Sequence, residues 1–442
     1  MLRTRTFGTR TLGTRTPRTD GSRGSSAAGG PGGTAGRGPA HRAAGAPRAW
    51  AARLTVVAIV LAALNLRPAI TSLGALLEEV SEGLGMSGSV AGLLTSVPPL
   101  CFAVFGVTAP RLARRFGAGA VVCAGMTAIA AGLLVRPYAG GTAGFLAATA
   151  LALAGIAVAN VLMPVIVKRR FPDRVGTMTG LYSMALALGT ATAAAVTVPV
   201  TDALGGDWRS GLAVWAGLAG AAVAPWLAFA RDREPAAELP SAPAPAPALR
   251  ITRSRTAWAL AVFFGLQATG AYVTMGWMAQ IFRDAGVPAG TAGVLLAVTM
   301  VMGVPLAFVI PRLATRLPHQ GPIVVALGAC GLAGYAGLYL APAGGAWAWA
   351  VLLGVSNCAF PLALTMVGMR ARTGAGVAQL SAFAQSAGYL LSIPGPLLVG
   401  VLYQHSGGWG LPLALMAALM IPQTAVGVLA GRDRTVEDEA RR

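Results

Sequence analysis

Between residues 54 and 430 the chain is a succession of apolar, almost uncharged stretches. Each is close to the ~20 residues that an α-helix needs to cross a ~30 Å hydrocarbon layer. Twelve can be marked out: 54–77, 89–109, 118–135, 142–167, 176–200, 210–230, 257–279, 290–310, 322–341, 346–369, 375–402 and 411–430. Inside a bilayer no water is at hand for backbone amides and carbonyls, so each stretch must satisfy them within itself, as a helix. The pattern predicts an all-α membrane protein with twelve transmembrane helices, multi-pass in the cell (cytoplasmic) membrane, with the lipid bilayer as its main partner. Composition agrees: 55% of residues are hydrophobic and 11% charged, against roughly 25% charged in a soluble domain.

The few charges are unevenly placed. Lys and Arg number 34 against 15 Asp and Glu, a net charge of +19. Basic residues gather in the cytoplasmic loops of membrane proteins. With both termini cytoplasmic, only Arg136, Arg209 and Arg283 fall outside and only Arg67 falls within a span. Orientation thus accounts for the basicity, and no nucleic-acid partner is expected. Lys168 is the single lysine and sits in Val167-Lys168-Arg169, so the Gly-Lys-Ser/Thr of a phosphate-binding loop is missing and no ATPase is encoded. Cys101, Cys123, Cys330 and Cys358 are isolated in apolar stretches and read as small buried hydrophobes. With no Ser/His/Asp grouping and no His/Cys cluster, the chain is expected to be no enzyme and to need no metal or cofactor.

Five segments follow from composition: a disordered basic tail (1–50), a six-helix bundle (51–230), a cytoplasmic Pro/Ala linker (231–256), a second six-helix bundle (257–430) and a cytoplasmic tail (431–442). The tail lacks the apolar core of a signal peptide before residue 54. The two bundles resemble each other. Ala91-Gly92 and Pro110-Arg111-Leu112-Ala113 recur as Ala292-Gly293 and Pro311-Arg312-Leu313-Ala314 at a constant offset of 201, with Arg115 matching Arg316. Asn160 and Pro164 of the fourth span correspond to Asn357 and Pro361 of the tenth. Two parallel six-span repeats joined by a cytoplasmic linker are the pattern of the major facilitator fold.

The residues carry the resemblance further. The chain resembles the major facilitator superfamily and, within it, the cyanate/nitroimidazole transporter (CynX/NimT-type) family. The matching strings are Asn65-Leu66-Arg67-Pro68-Ala69-Ile70, Ala109-Pro110-Arg111-Leu112-Ala113-Arg114-Arg115, Gly265-Leu266-Gln267 with Tyr272 and Trp277, and Ala384-Gln385-Ser386-Ala387-Gly388-Tyr389-Leu390 with Gly395-Pro396 and Gly407-Gly408-Trp409. The resemblance implies a monomeric secondary transporter that works by alternating access on small polar or anionic solutes, such as cyanate or nitroheterocycles. It also implies a central cavity lined by spans one, four, seven and ten. A multidrug-type efflux carrier of the same superfamily is the alternative; a polytopic enzyme or receptor is a more distant one. The superfamily's usual loop motif after span two is only half present, because Pro110 stands where its Asp would be and Ala113 where its second Gly would be. Arg111, Arg115, Arg312 and Arg316 are the candidate gating residues of the two equivalent cytoplasmic loops.

Arg67 is the sharpest feature. It lies thirteen residues past Leu54, about 20 Å into the hydrocarbon at ~1.5 Å per residue, where an arginine costs about 2.5–3.5 kcal/mol on insertion scales. The interiors of the spans hold no carboxylate to pair with it. Two readings stand: an anchor for an anionic or nitro-bearing substrate, suited to the planar guanidinium fork, or a structural group satisfied by carbonyls. Pro68 should kink span one there. Asn65, Asn160, Gln267, Tyr272, Trp277, Asn357, Gln385 and Tyr389 are the further candidate substrate-binding residues, each weighed against simple packing. Ser381, Gln385, Tyr389 and Ser392 share one helical face by their spacing. Glu78, about three turns beyond Arg67 on a similar face, is the candidate coupling residue.

Overall fold

The computed structural model describes residues 46–230 and 251–440, so most of the basic tail and of the Pro/Ala linker lies outside the described residues. Residues from Trp50 onward form one compact unit, and among the described residues every regular element is helical. Twelve helices are long and apolar enough to cross a membrane. Spans 1 to 6 are Ala52–Ala75, Gly88–Gly106, Ala118–Tyr138, Thr142–Arg170, Thr177–Ala203 and Trp208–Ala230. Spans 7 to 12 are Arg255–Asp284, Ala289–Arg316, Gly321–Leu340, Ala346–Met369, Gly376–Ser406 and Gly410–Ala430. These are the twelve stretches that hydropathy marks out, shifted by a few residues at their ends.

Several spans are broken, and the breaks shape the interior. Span 1 does more than kink: one helix ends at Asn65 and another runs over Pro68–Ala75. Pro68 has no amide to donate and its ring crowds the preceding turn. The chain leaves helical geometry at Leu66 and Arg67, and Arg67 becomes the residue capping the second half (φ −129°). Its carbonyl accepts the amides of Ile70 (2.9 Å) and Thr71 (3.1 Å), the first bonds of the new helix. Span 8 divides into Ala289–Val301 and Gly303–Arg316, span 10 into Ala346–Ser356 and Ala359–Met369. Span 11 divides after Ser392, with Pro394 opening its second half. Asn357 therefore sits at a break, whereas its repeat partner Asn160 sits in an unbroken helix, Thr142–Arg170, that absorbs Pro164.

One expectation is corrected at the span ends. The segment after span 2 is no loop: a single helix runs Gly88–Phe116 and stops at Gly117, whose φ of +87° favours glycine. Arg111 and Arg115 lie on this helical extension, and Arg312 and Arg316 on the equivalent half-helix Gly303–Arg316. Pro110 and Pro311 read as turn signals, yet the flanking Leu, Ala and Arg are good helix formers, and the carbonyl freed by each proline can find another partner.

The first six and last six spans close on each other at the end that holds Glu78 and Arg283. A Cβ on Gly74 of span 1 would lie 2.0 Å from the Met275 carbonyl oxygen of span 7, and one on Gly400 of span 11 would lie 2.3 Å from that of Gly88 in span 2. Backbones touch there because glycine permits it. The half-helix Ala289–Val301 of span 8 packs along span 5 at this end, while its other half, Gly303–Arg316, barely meets that span.

At the opposite end the segment after span 12 is docked. The Val436 amide donates to the Arg370 carbonyl (3.0 Å). Buried Arg370 donates to the carbonyls of Ala430 (3.0 Å) and Gly431 (2.8 Å) and to Gln320. Glu437 accepts the amides of Arg372 and Thr373 before span 11 (3.0 and 3.2 Å). Glu439 accepts the hydroxyls of Ser254 (2.6 Å) and Thr256 (2.7 Å) at the start of span 7. Burial pushes both carboxyls up, but the hydrogen bonds they accept outweigh it and hold them below the ordinary carboxylate range.

Candidate functional site

The break in span 1 turns Arg67 toward an aromatic cluster. Its guanidinium carbon lies 5.8 Å from the centroid of the Phe102 ring of span 2, within cation–π range. Phe102 stacks on Tyr389 of span 11 (centroids 5.2 Å apart, planes at 23°) and lies 6.5 Å from Tyr272 of span 7. Tyr389 meets Phe264 edge-on at 5.1 Å. Tyr182, Tyr272 and Tyr389 all lie near enough for the Arg67 charge to act on their hydroxyls. Tyr182 of span 5 donates to the Asn160 side-chain oxygen of span 4 (2.7 Å). One guanidinium thus gathers side chains from spans 1, 2, 4, 5, 7 and 11. Among the described residues no carboxylate forms an ion pair with it, whereas Arg283 pairs with two and Arg370 with one.

Arg67, Asn160, Tyr182, Gln385 and Tyr389 are partly exposed, and Tyr272 is buried behind them. Gln385 donates to Ser381 (2.7 Å) on the same face of span 11. Ser392, the fourth residue of that face, is fully buried and bonds back to the Tyr389 carbonyl (2.8 Å). Asn357 lies at the break of span 10, its Nδ2 without a protein partner. Gln267 is buried in span 7, its Oε1 without a protein partner.

Two of the predicted residues turn away from the cluster. Asn65 donates to the carbonyls of Leu61 (2.7 Å) and Leu218 (3.2 Å), tying span 1 to span 6. Trp277 donates to Thr95 (3.2 Å) and packs against Tyr403 and Trp409, bridging spans 2, 7 and 11 nearer the Glu78 end. Glu78 is not on the Arg67 helix: a second break at Leu76 sets it on a separate short helix, Leu77–Leu84. There its Oε2 lies 2.8 Å from Arg283 Nη2, with Glu79 completing the cluster at 2.9 Å. This ion pair joins the first six spans to the last six. Among the described residues no group of three or more His, Cys, Asp or Glu side chains could hold a metal ion.

The chain matches the Major Facilitator Superfamily family over residues 56–392. The chain belongs to the major facilitator superfamily. It is similar to the 2-nitroimidazole transporter of Escherichia coli (32% identity over 87% of this chain and 97% of that protein) and to the cyanate transport protein CynX of the same organism (30% identity over 83% and 94%). An uncharacterized transporter of Bacillus subtilis is 35% identical over 86% of this chain and 94% of its own length. In fold it is similar to the nucleoside transporter NupG (TM-score 0.70, 12% identity, covering 86% of this chain and 99% of that one). It is also similar to an inward open conformation of the xylose transporter XylE from E. coli (TM-score 0.66, 12% identity, covering 85% and 95%). The chain is a twelve-span transporter of this superfamily.

Sequence reasoning missed three residues of this superfamily member. Phe102 and Tyr182 read as ordinary apolar-stretch aromatics, although Tyr182 in Gly180-Leu181-Tyr182-Ser183 puts a phenol among small residues, a usable signal. Arg136, expected in an outer loop, is 1% exposed. It donates to the Ala69 carbonyl (2.9 Å) and the Ser72 hydroxyl (3.3 Å), clamping the second half of span 1. Its position directly after Leu133-Leu134-Val135, with no polar spacer, was the available hint.

Proposed function

We propose that the chain is a secondary transporter of the cell membrane, monomeric, with both termini cytoplasmic, and that it binds a small anionic or nitro-bearing solute at Arg67. The observation that carries this reading is Arg67 itself: a guanidinium in mid-span with no ion-pair partner among the described residues, 5.8 Å from the centroid of the Phe102 ring, whose stack with Tyr389 and neighbour Tyr272 bring phenols into the same cluster. A planar anion or nitro group offers two oxygens to the fork and a flat face to the rings. Tyr272, Tyr389 and the Asn160 amide nitrogen complete the donor set, with Tyr182 holding Asn160 by its oxygen, with Gln385 and Gln267 on the same spans and Asn357 at the break of span 10. The relatives that transport 2-nitroimidazole and cyanate are consistent with such a solute.

The closed end, with Arg283 between Glu78 and Glu79, is the outer gate, and the arginine-bearing helix ends that include Arg111, Arg115, Arg312 and Arg316 lie at the cytoplasmic mouth. Transport alternates by parting the Glu78 end while the other end closes. Protonation of Glu78 would weaken its hold on Arg283, which makes it the coupling candidate; Glu79, Glu82, Asp284 and Tyr403 are its ionisable neighbours. An unchanged pH profile of transport in Glu78→Gln would remove it from that role. The substrate reading is tested by titrating purified protein in detergent with cyanate and with 2-nitroimidazole. Binding of either that disappears in Arg67→Ala supports the anchor; binding indifferent to that substitution excludes it.

A further inference from the structure

Arg136 caps the helix Ala118–Val135 of span 3, and its side chain is buried, 1% exposed. Among the described residues no carboxylate forms an ion pair with it. Two of its nitrogens donate into span 1, Nη1 to the Ala69 carbonyl (2.9 Å) and Nη2 to the Ser72 hydroxyl (3.3 Å), while the buried Nε has no partner in the protein. Burying a guanidinium without a counter-charge is expensive, and a neutral amide would tie two helices together at a smaller desolvation cost. What the guanidinium adds is geometry. Its donors form a rigid planar fork, and the two groups it grips stand three residues apart, about one helical turn. Such a grip fixes a helix in rotation and in translation together.

The helix so gripped is the one Arg67 caps. The break at Leu66 and Arg67 separates Pro68–Ala75 from the first half of span 1, so helix continuity does not hold it in place. All eight of its residues are buried and most are apolar, and apolar burial is non-directional. Among the described residues, the side-chain hydrogen bonds that reach this half-helix from another span both come from Arg136. Within it, the amides of Ile70 and Thr71 and the Thr71 hydroxyl (3.3 Å) converge on the Arg67 carbonyl. The first turn of the half-helix therefore connects the Arg136 fork to the backbone of Arg67, whose guanidinium lies 5.8 Å from the centre of the Phe102 ring.

We infer that Arg136 is a positioning residue for substrate binding. By gripping Ala69 and Ser72 it sets where the half-helix begins, and so where the Arg67 fork stands against Phe102, Tyr272 and Tyr389 of spans 2, 7 and 11. Arg136 itself does not touch the solute. A fork on one span and rings on three others hold a planar solute together only at one spacing, and a displacement of about 1 Å costs a positioned interaction up to about a hundredfold. The effect falls on any solute held at Arg67, anionic or nitro-bearing. The inference rests on Arg67 being the substrate anchor.

The test titrates cyanate and 2-nitroimidazole on purified wild type, Arg136→Gln, Arg136→Lys and Ser72→Ala, each with Arg67 intact and with Arg67→Lys. Arg136→Gln should lose about tenfold or more in affinity for whichever ligand the wild type binds, with the number of sites per molecule unchanged. Arg136→Lys, which keeps a donor for Ala69, should recover part of that loss, and Ser72→Ala should show a smaller loss of the same kind. In the Arg67→Lys background each loss should shrink to about twofold or less, because an ammonium has no fork to aim. If Arg136→Gln does not fold, Ser72→Ala in the two backgrounds decides alone. Unchanged affinities, equal losses in both backgrounds, or fewer sites at unchanged affinity would overturn the positioning role and leave Arg67 standing. Binding of neither ligand by the wild type, or binding indifferent to Arg67→Ala, would overturn the anchor and this inference with it.

Discussion

At the scale of single residues the account turns on Arg67. Arg67→Lys keeps the charge but loses the bidentate fork, so we expect a partial loss of transport, about tenfold, against a loss of about a hundredfold or more in Arg67→Ala; initial uptake rates at matched protein density check this. Tyr389→Phe, which keeps the stack on Phe102 and removes only the hydroxyl, should weaken affinity by less than Arg67→Ala does, read from the concentration dependence of uptake. Arg67 was legible in the sequence because a lone charge in an apolar stretch has no cheap explanation. Tyr272 and Tyr389 were legible because phenols in spans need polar partners. Asn65 and Trp277 were not separable from them: which way a polar side chain points depends on how each helix is rotated, and that is fixed by packing. Asn65 meets Leu218 on span 6, a contact that neither sequence segment announces.

At the scale of elements, the helix breaks and the closed end do the positioning. Pro68 announced a disturbance in span 1, but its extent, a new helix capped by Arg67 itself, depended on the tertiary support that Arg136 gives to Ala69 and Ser72. The Glu78 end is held by the Arg283 ion pairs, by Ser89 bonding to Gln404 and by backbone contact at Gly400. Removing the ion pairs in Arg283→Gln should cost this closed arrangement about 1–2 kcal/mol, a 5–30-fold change in the ratio of states. Spin labels at Glu82 and His405 should then show a larger population of long distances; an unchanged distribution would show that the ion pairs do not hold this end. At the other end, Glu437 and Glu439 brace spans 11 and 7. A carboxyl held below its usual value in the folded protein stabilises it fully above the ordinary carboxylate pKa of ~4.3, and that contribution fades as pH falls through the folded-state value. Glu439→Ala should therefore lower the stability at pH 7 by about 1 kcal/mol, read from the thermal midpoint, with the deficit shrinking as pH falls below the ordinary carboxylate value and gone once it is below the folded-state value. A deficit independent of pH would contradict the brace.

At the scale of the whole molecule, the twelve spans could be read from hydropathy alone because lipid allows each span only one solution, a helix. The repeat was visible because matching prolines and arginines recur at a fixed offset. What hydropathy could not give was which end is closed, since apolar length says nothing of how two six-helix groups tilt against each other. The basic residues set the expected orientation, so fusion of a cytoplasm-active reporter after Arg442 should be active and a periplasm-active one silent. The central claim is that a solute with an anionic or nitro group crosses the membrane by binding Arg67. Its most direct test is uptake of labelled cyanate and 2-nitroimidazole into proteoliposomes containing wild type or Arg67→Ala. The account predicts saturable uptake of at least one of them by the wild type and its loss in Arg67→Ala; transport of neither, or equal transport by both proteins, would contradict it.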